Sequence, residues 1–171
     1  PRRGTMQNKI RTLRCLLTWI QDNNMPFSKI MVHKSMFYLR EKRLKIPFRF
    51  DFMDYGPFSS ELRETVEFLV DQGEVATGEM KYRLTYCFTQ KRFSNQEILD
   101  ALYEFKEMAN NDFSFDNLKI LGVTLYSILA IKNLGLPPVK DEVLKDVAIW
   151  NREVDQKVVE SMYDRLIPVW G

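Results

Sequence analysis

Between Asp116 and Asn133 the chain carries Leu118, Ile120, Leu121, Val123, Leu125, Ile128, Leu129 and Ile131, so apolar residues fall on nearly every face of a helix over 117–133. A helix with no polar face has to be wrapped on most sides. It therefore predicts a central core element around which the rest of the chain must be arranged. Asp116 is its expected cap, and Asn133-Leu134-Gly135-Leu136-Pro137-Pro138 stops it. The other helices expected from periodicity have one apolar stripe each. Ile10, Leu13, Leu17 and Ile20 give a helix over 7–23, closed by Asp22-Asn23-Asn24 and Pro26. A second spans 29–43, with Ser28 as its cap. A third spans 59–72, with Leu62, Val66 and Leu69 inward and Gly73 in the left-handed position that ends it. Ser94-Asn95-Gln96-Glu97 reads as a capping box for a helix to Ala109. Two shorter helices follow over 140–149 and 153–166, with Pro168 ending the last.

Strand signals are few. Phe48-Arg49-Phe50-Asp51-Phe52 alternates and predicts a short strand, and Asp54-Tyr55-Gly56-Pro57 a turn. Residues 74–77 and 82–88 predict a β-hairpin across Gly78-Glu79-Met80-Lys81. The expected fold is mainly α with a small β component. A winged-helix-like N-terminal part with its β-hairpin packs on a C-terminal helical lobe. The divisions are a cloning remnant over 1–5, a lobe over 6–92 and a lobe over 93–171, joined as one compact unit.

Charge is unevenly placed. Residues 1–50 hold 12 of the 25 Lys and Arg but 2 of the 23 Asp and Glu; residues 51–171 hold the other 13 and 21. This predicts a basic patch of Arg11, Arg14, Lys29, Lys34, Arg40, Lys42, Arg43 and Lys45, which either meets an anionic partner or is neutralised within the fold. Cys15 and Cys87 read as buried free thiols of a reducing, cytoplasmic setting, with a disulfide as the other option. No stretch is apolar enough to cross a bilayer, so no membrane partner is expected.

The chemistry-bearing residues are sparse. His33 is the one histidine, with no His-x-x-x-His or Cys-x-x-Cys beside it, and reads as a structural or surface residue. The glycines form no phosphate-binding loop. Neither catalytic, cofactor-binding nor metal-binding residues are assigned, and no cofactor is expected. The most distinctive segment is Tyr55-Gly56-Pro57-Phe58-Ser59-Ser60. It reads either as a structural corner that starts a helix, or as a binding corner beside exposed helix N–H groups.

Lys29–Leu39, Phe48-Arg49-Phe50, Tyr55–Leu62 and Leu69–Val75 resemble the YwgA-type family of uncharacterised prokaryotic proteins. More distantly they resemble the Panacea domain of SocA-type antitoxins, which also has a Lys-rich, aromatic-rich second helix before a Tyr-Gly-Pro corner. Val154–Leu166 is similar to the closing helix of these proteins, so the resemblance spans most of 7–166. The antitoxin corner usually has a Trp upstream and a small apolar residue after Gly-Pro; this chain has Met53-Asp54 and Phe58. The resemblance implies a prokaryotic regulatory protein, antitoxin-like in part.

Three functions are open at this point: a protein-interaction or regulatory module binding another protein or itself, a winged-helix DNA-binding regulator, and an unrecognised enzyme. The helix over 59–72 would enter a DNA groove, yet it carries Glu61, Glu64, Glu67 and Asp71 against Arg63. Carboxylates there are repelled by phosphates, which favours the first function. Nucleic acid would then be left to the basic patch. Trp150, Tyr163 and Trp170 are the expected interface anchors.

Overall fold

The computed structural model describes residues 2–53 and 56–171. Among them are seven α-helices and two antiparallel strand pairs, so the fold is mainly α with a small β component. The order is α1 (Arg2–Asp22), α2 (Lys29–Glu41), β1 (Asp51–Met53), β2 (Gly56–Phe58), α3 (Ser60–Asp71), β3 (Val75–Gly78), β4 (Lys81–Leu84), α4 (Gln96–Met108), α5 (Phe115–Asn133), α6 (Lys140–Trp150) and α7 (Gln156–Trp170).

The all-round apolar helix is the centre, as its sequence demands. α5 packs against α7, α2, α6 and β2. Leu118, Leu121, Leu125 and Ile128 are fully buried. α2 is the second central element: every residue from Ile30 to Leu39 is buried. Because α2 also packs on α4, the core is continuous from the first half of the chain to the second.

Several boundaries differ from expectation, for local reasons. The N-cap of α4 is Asn95, not Ser94, and its side chain accepts from Glu97 N–H. Ser114 rather than Asp116 caps α5, accepting from Asn117 N–H. Either residue type can cap, and the choice falls to the one whose backbone is extended at the right place. α2 ends at Glu41, with Arg43 already left-handed at φ 61°. α7 does not stop before Pro168 but runs through it to Trp170. A proline so near a helix end removes one N–H from the ladder, toward Asp164, and both residues lie on the exposed side, where water can satisfy the freed carbonyl. Gly73 is the expected left-handed residue, at φ 75°. Around it Gly73 N–H donates to Val70 and Glu74 N–H to Leu69, the two bonds that close a helix in the Schellman manner.

The strand expected over 48–52 forms only at Asp51–Met53. Gly56 and Pro57, expected in a turn, instead belong to β2, with Asp51 opposite Phe58, Phe52 opposite Pro57 and Met53 opposite Gly56. Phe48 is buried as a core side chain rather than a paired strand residue. The second hairpin is also shifted, to Val75–Gly78 and Lys81–Leu84. Its free edge is held by the start of α2: Tyr82 N–H donates to the Phe27 carbonyl and Lys29 N–H to the Met80 carbonyl. Cys15 is buried, and burial raises its thiol pKa, but Cys87 is exposed, so the pair of buried thiols is half right. The two stand as free thiols, not a disulfide.

Candidate functional site: the corner and its groove

Of the distinctive corner, Tyr55 lies outside the described residues, and Gly56 to Ser60 sit where α2, α3 and α5 meet. Gly56 is left-handed at φ 94°, and a Cβ there would lie 3.2 Å from Val123 Cγ2 and 3.3 Å from Lys34 Nζ. Both the backbone conformation and the space call for glycine. Lys34 is buried and donates from Nζ to the Pro57 carbonyl at 2.9 Å. Its stem runs across α5 at Gly122, where a Cβ would come within 2.8 Å of Lys34 Cδ and Cε and 3.2 Å of Pro57 Cδ. A glycine inside an otherwise strong helix thus makes the channel for a lysine. Burial, with Lys119 nearby, pushes the Lys34 pKa down to about 7.

His33, beside Lys34, is a core residue. Its ring stacks on Phe58 at 4.5 Å and 8°. Its Nδ1 accepts the Ser59 N–H at 3.3 Å, which leaves any proton of the neutral ring on Nε2. Burial first, then the positive charges of Lys34 and Arg63, push its pKa down to about 3. The imidazole is therefore neutral at every ordinary pH. Ser59 completes the corner: its Oγ accepts from Leu62 N–H at 3.1 Å and starts α3. Ser60 is exposed on the first turn of α3.

On the outer side of His33 and Phe58 a groove of about 440 Å3 opens between α3, the start of α2 and the tip of the second hairpin. Val66 and Val70 of α3 line one side, Ile30, Met80 and Tyr82 the other. A second hollow, lined by Pro26, Phe113 and Phe115, shares Ile30, Met80 and Phe115 with the first, so the two form one channel with a largely apolar floor. Met80, left-handed at φ 60° and about half exposed, lines both hollows. Sequence periodicity gave no sign of this channel, because its walls come from segments as far apart as Pro26 and Phe115. Gly122 inside a helix signals only the close passage of Lys34 and Pro57, and it lines neither hollow.

The expected basic patch does not form one surface. Arg14 pairs with Glu74 at 2.5 Å and 3.2 Å. Glu74 is buried; burial works against its charge, but the Arg14 guanidinium and the Thr89 N–H together outweigh that and hold the carboxyl below its ordinary value. Lys42 pairs with Glu104 at 2.6 Å and lies 4.9 Å from the Trp170 ring centre. Arg40 donates to the Phe48 carbonyl at 3.1 Å. Lys34 is buried. Arg11 is exposed beside Arg14 and Lys91, while Arg43 and Lys45 are exposed at the far end of α2. Lys29 alone of the eight is both exposed and in the groove. Arg63 and Lys81, which were not among the eight, join it there.

The acidic helix keeps its sign. Glu61 is drawn inward by Lys9 at 2.6 Å and by Arg49 N–H at 2.9 Å. Glu64, Glu67 and Asp71 remain exposed, with Arg63 3.8 Å from Glu67. Of the expected interface aromatics, Tyr163 and Trp170 are buried. The indole N–H of Trp170 donates to Tyr38 OH, which in turn donates to Glu104. Trp150 is exposed. It meets Phe52 edge-on at 4.5 Å, and Phe52 stacks on Tyr126 at 4.4 Å, beside exposed Met53. The first hairpin therefore serves two surfaces, with Phe58 at the groove and Phe52 in the aromatic cluster. Among the described residues no cluster of ligating side chains suits a metal ion, and no helix is long and apolar enough to cross a membrane. No protein-family model matches the chain, and no curated protein sequence matches it either.

Proposed function

We propose that this chain is a non-enzymatic regulatory module, antitoxin-like in the broad sense of its sequence resemblance, that works in the prokaryotic cytoplasm by holding a segment of another protein. The observation that carries this reading is the open apolar channel from Phe58 to Phe113. Water-exposed apolar floor is costly to keep, and a concave strip of it is what side chains of a docked segment cover. The aromatic cluster of Phe52, Tyr126 and Trp150 supplies a second surface rich in the residue types that dominate interface energetics.

The DNA-binding alternative finds less support. The exposed side of α3 presents Glu64, Glu67 and Asp71, and the cations of the first 50 residues are spread over several faces. A photocrosslinking amino acid in place of Met80 tests the proposal in the source cells. It should yield one discrete adduct that re-forms from the two purified proteins, while the same group in place of Lys145 yields none. Absence of any adduct at Met80, together with tight, steeply salt-dependent binding of generic duplex DNA, would reverse the assignment.

A further inference from the structure

We infer that the segment held in this groove is acidic, with apolar side chains as its anchors. The inference rests on the protein-interaction reading above and adds the chemistry of the partner. It starts from which charges line the channel and which of them are already answered. Four cations reach it: Lys29, Lys34, Arg63 and Lys81. Two carboxylates do so, Glu67 and Asp71. Arg63 and Glu67 are one helical turn apart, 3.8 Å from each other, and largely offset one another. Lys34 is buried with its Nζ on the Pro57 carbonyl, which leaves Lys29 and Lys81 against Asp71.

Backbone pairing fixes two of these side by side. Ser28 bridges to Lys81, and Lys29 N–H donates to the Met80 carbonyl, so Lys29 and Lys81 rise from adjoining segments on one wall. Both are exposed. They flank Ile30 and Met80, the residues at which the two hollows join. Elsewhere three N-terminal cations reach carboxylates, Lys9–Glu61, Arg14–Glu74 and Lys42–Glu104, while Arg11, Arg43 and Lys45 are exposed away from this groove. A pair of lysines beside an apolar floor thus offers two things to a partner. The floor takes apolar anchors, and the lysine wall favours carboxylates next to them. A basic segment would meet repulsion at that wall, which is how rim charges select partners.

Three labelled peptides of about 12 residues test this by fluorescence anisotropy. The first has Leu at helical anchor spacing and Glu at most other positions. The second has Lys for each Glu, and the third has Ser for each Leu. The acidic Leu peptide should bind at least about tenfold more tightly than either of the others. Its lead over the Lys peptide should shrink as salt screens the exposed lysines. In the double variant Lys29→Glu with Lys81→Glu the preference should invert, and thermal melting should show that this variant is folded. Equal binding of the acidic and basic peptides, or an unchanged ratio in the double variant, would overturn the inference. So would failure of the acidic peptide to bind at all. A discrete crosslink from Met80 alongside any of these failures would leave the interaction reading standing and remove only the acidic partner.

Discussion

The α1 side of the molecule and the groove side draw cations from the same basic stretch of sequence but use them differently. On the α1 side, Lys9 and Arg14 reach Glu61 and Glu74 from later in the chain, and the charges close internal pairs. On the groove side, Lys29 stands with Lys81 on an open wall, and the nearby pair of Arg63 with Glu67 is exposed and 3.8 Å apart. The contrast separates charge that holds the fold from charge that is left to meet something else. His33 and Lys34 form a third kind, basic groups in the core between the two.

That third kind should give the largest effect. His33 has its folded pKa pushed down to about 3, against an ordinary value near 6.5. Above pH 6.5 it is neutral folded or unfolded. Between 6.5 and 3 the unfolded chain takes up a proton that the folded chain refuses, so stability falls on acidification through that window. The full loss is on the order of 5 kcal/mol. Urea melts at stepped pH should show it, and His33→Phe should flatten the slope between pH 6.5 and 5. The same variant should be less stable at pH 7, because the Ser59 N–H loses its acceptor. An unchanged slope in His33→Phe would place the acid sensitivity elsewhere.

Next in size is the internal pair. Glu74→Ala strands Arg14 and removes the acceptor of Thr89 N–H, and should cost about 3 kcal/mol in denaturant unfolding. A loss below about 1 kcal/mol would mean that the α1 side holds its charges no more tightly than the groove does. Gly122→Ala sharpens the role of the lysine channel. Helix propensity favours alanine by about 1 kcal/mol, but the new methyl would meet Lys34 at 2.8 Å, so a net loss of about 1–2 kcal/mol is expected. A stabilised Gly122→Ala would show that Lys34 moves aside freely. The smallest effect belongs to the groove wall: Lys29→Glu and Lys81→Glu should each change stability by no more than about 0.5 kcal/mol, since both side chains are exposed and neither is in an ion pair among the described residues.

How far the residues foretell this can be argued element by element. α5 was legible because eight apolar residues over its length leave no polar face. Gly73 was legible because helix ends need the left-handed conformation that glycine adopts freely. The caps at Asn95 and Ser114 were misplaced by one and two positions, since neighbouring residues had equal capping chemistry. The first hairpin was half seen: alternation over 48–52 marked a strand, but its partner is a Gly-Pro-Phe segment with no strand signature, held by α5 and Lys34 rather than by propensity. The corner itself stood out by composition. The groove beside it did not, because Arg63, Met80, Lys81 and Phe115 converge only through tertiary packing. Charge asymmetry was real in sequence, yet no rule of spacing tells that Arg14 will find Glu74 while Lys29 pairs with no carboxylate among the described residues.

Backbone amide shifts recorded while the acidic Leu peptide is added compare the two sides in one experiment. The account predicts that the moving resonances are Lys29, Ile30, Val66, Val70, Met80 and Tyr82, with Arg14, Lys42 and Glu74 unmoved. Shifts centred on Arg14 and Lys42, with the groove residues still, would contradict it.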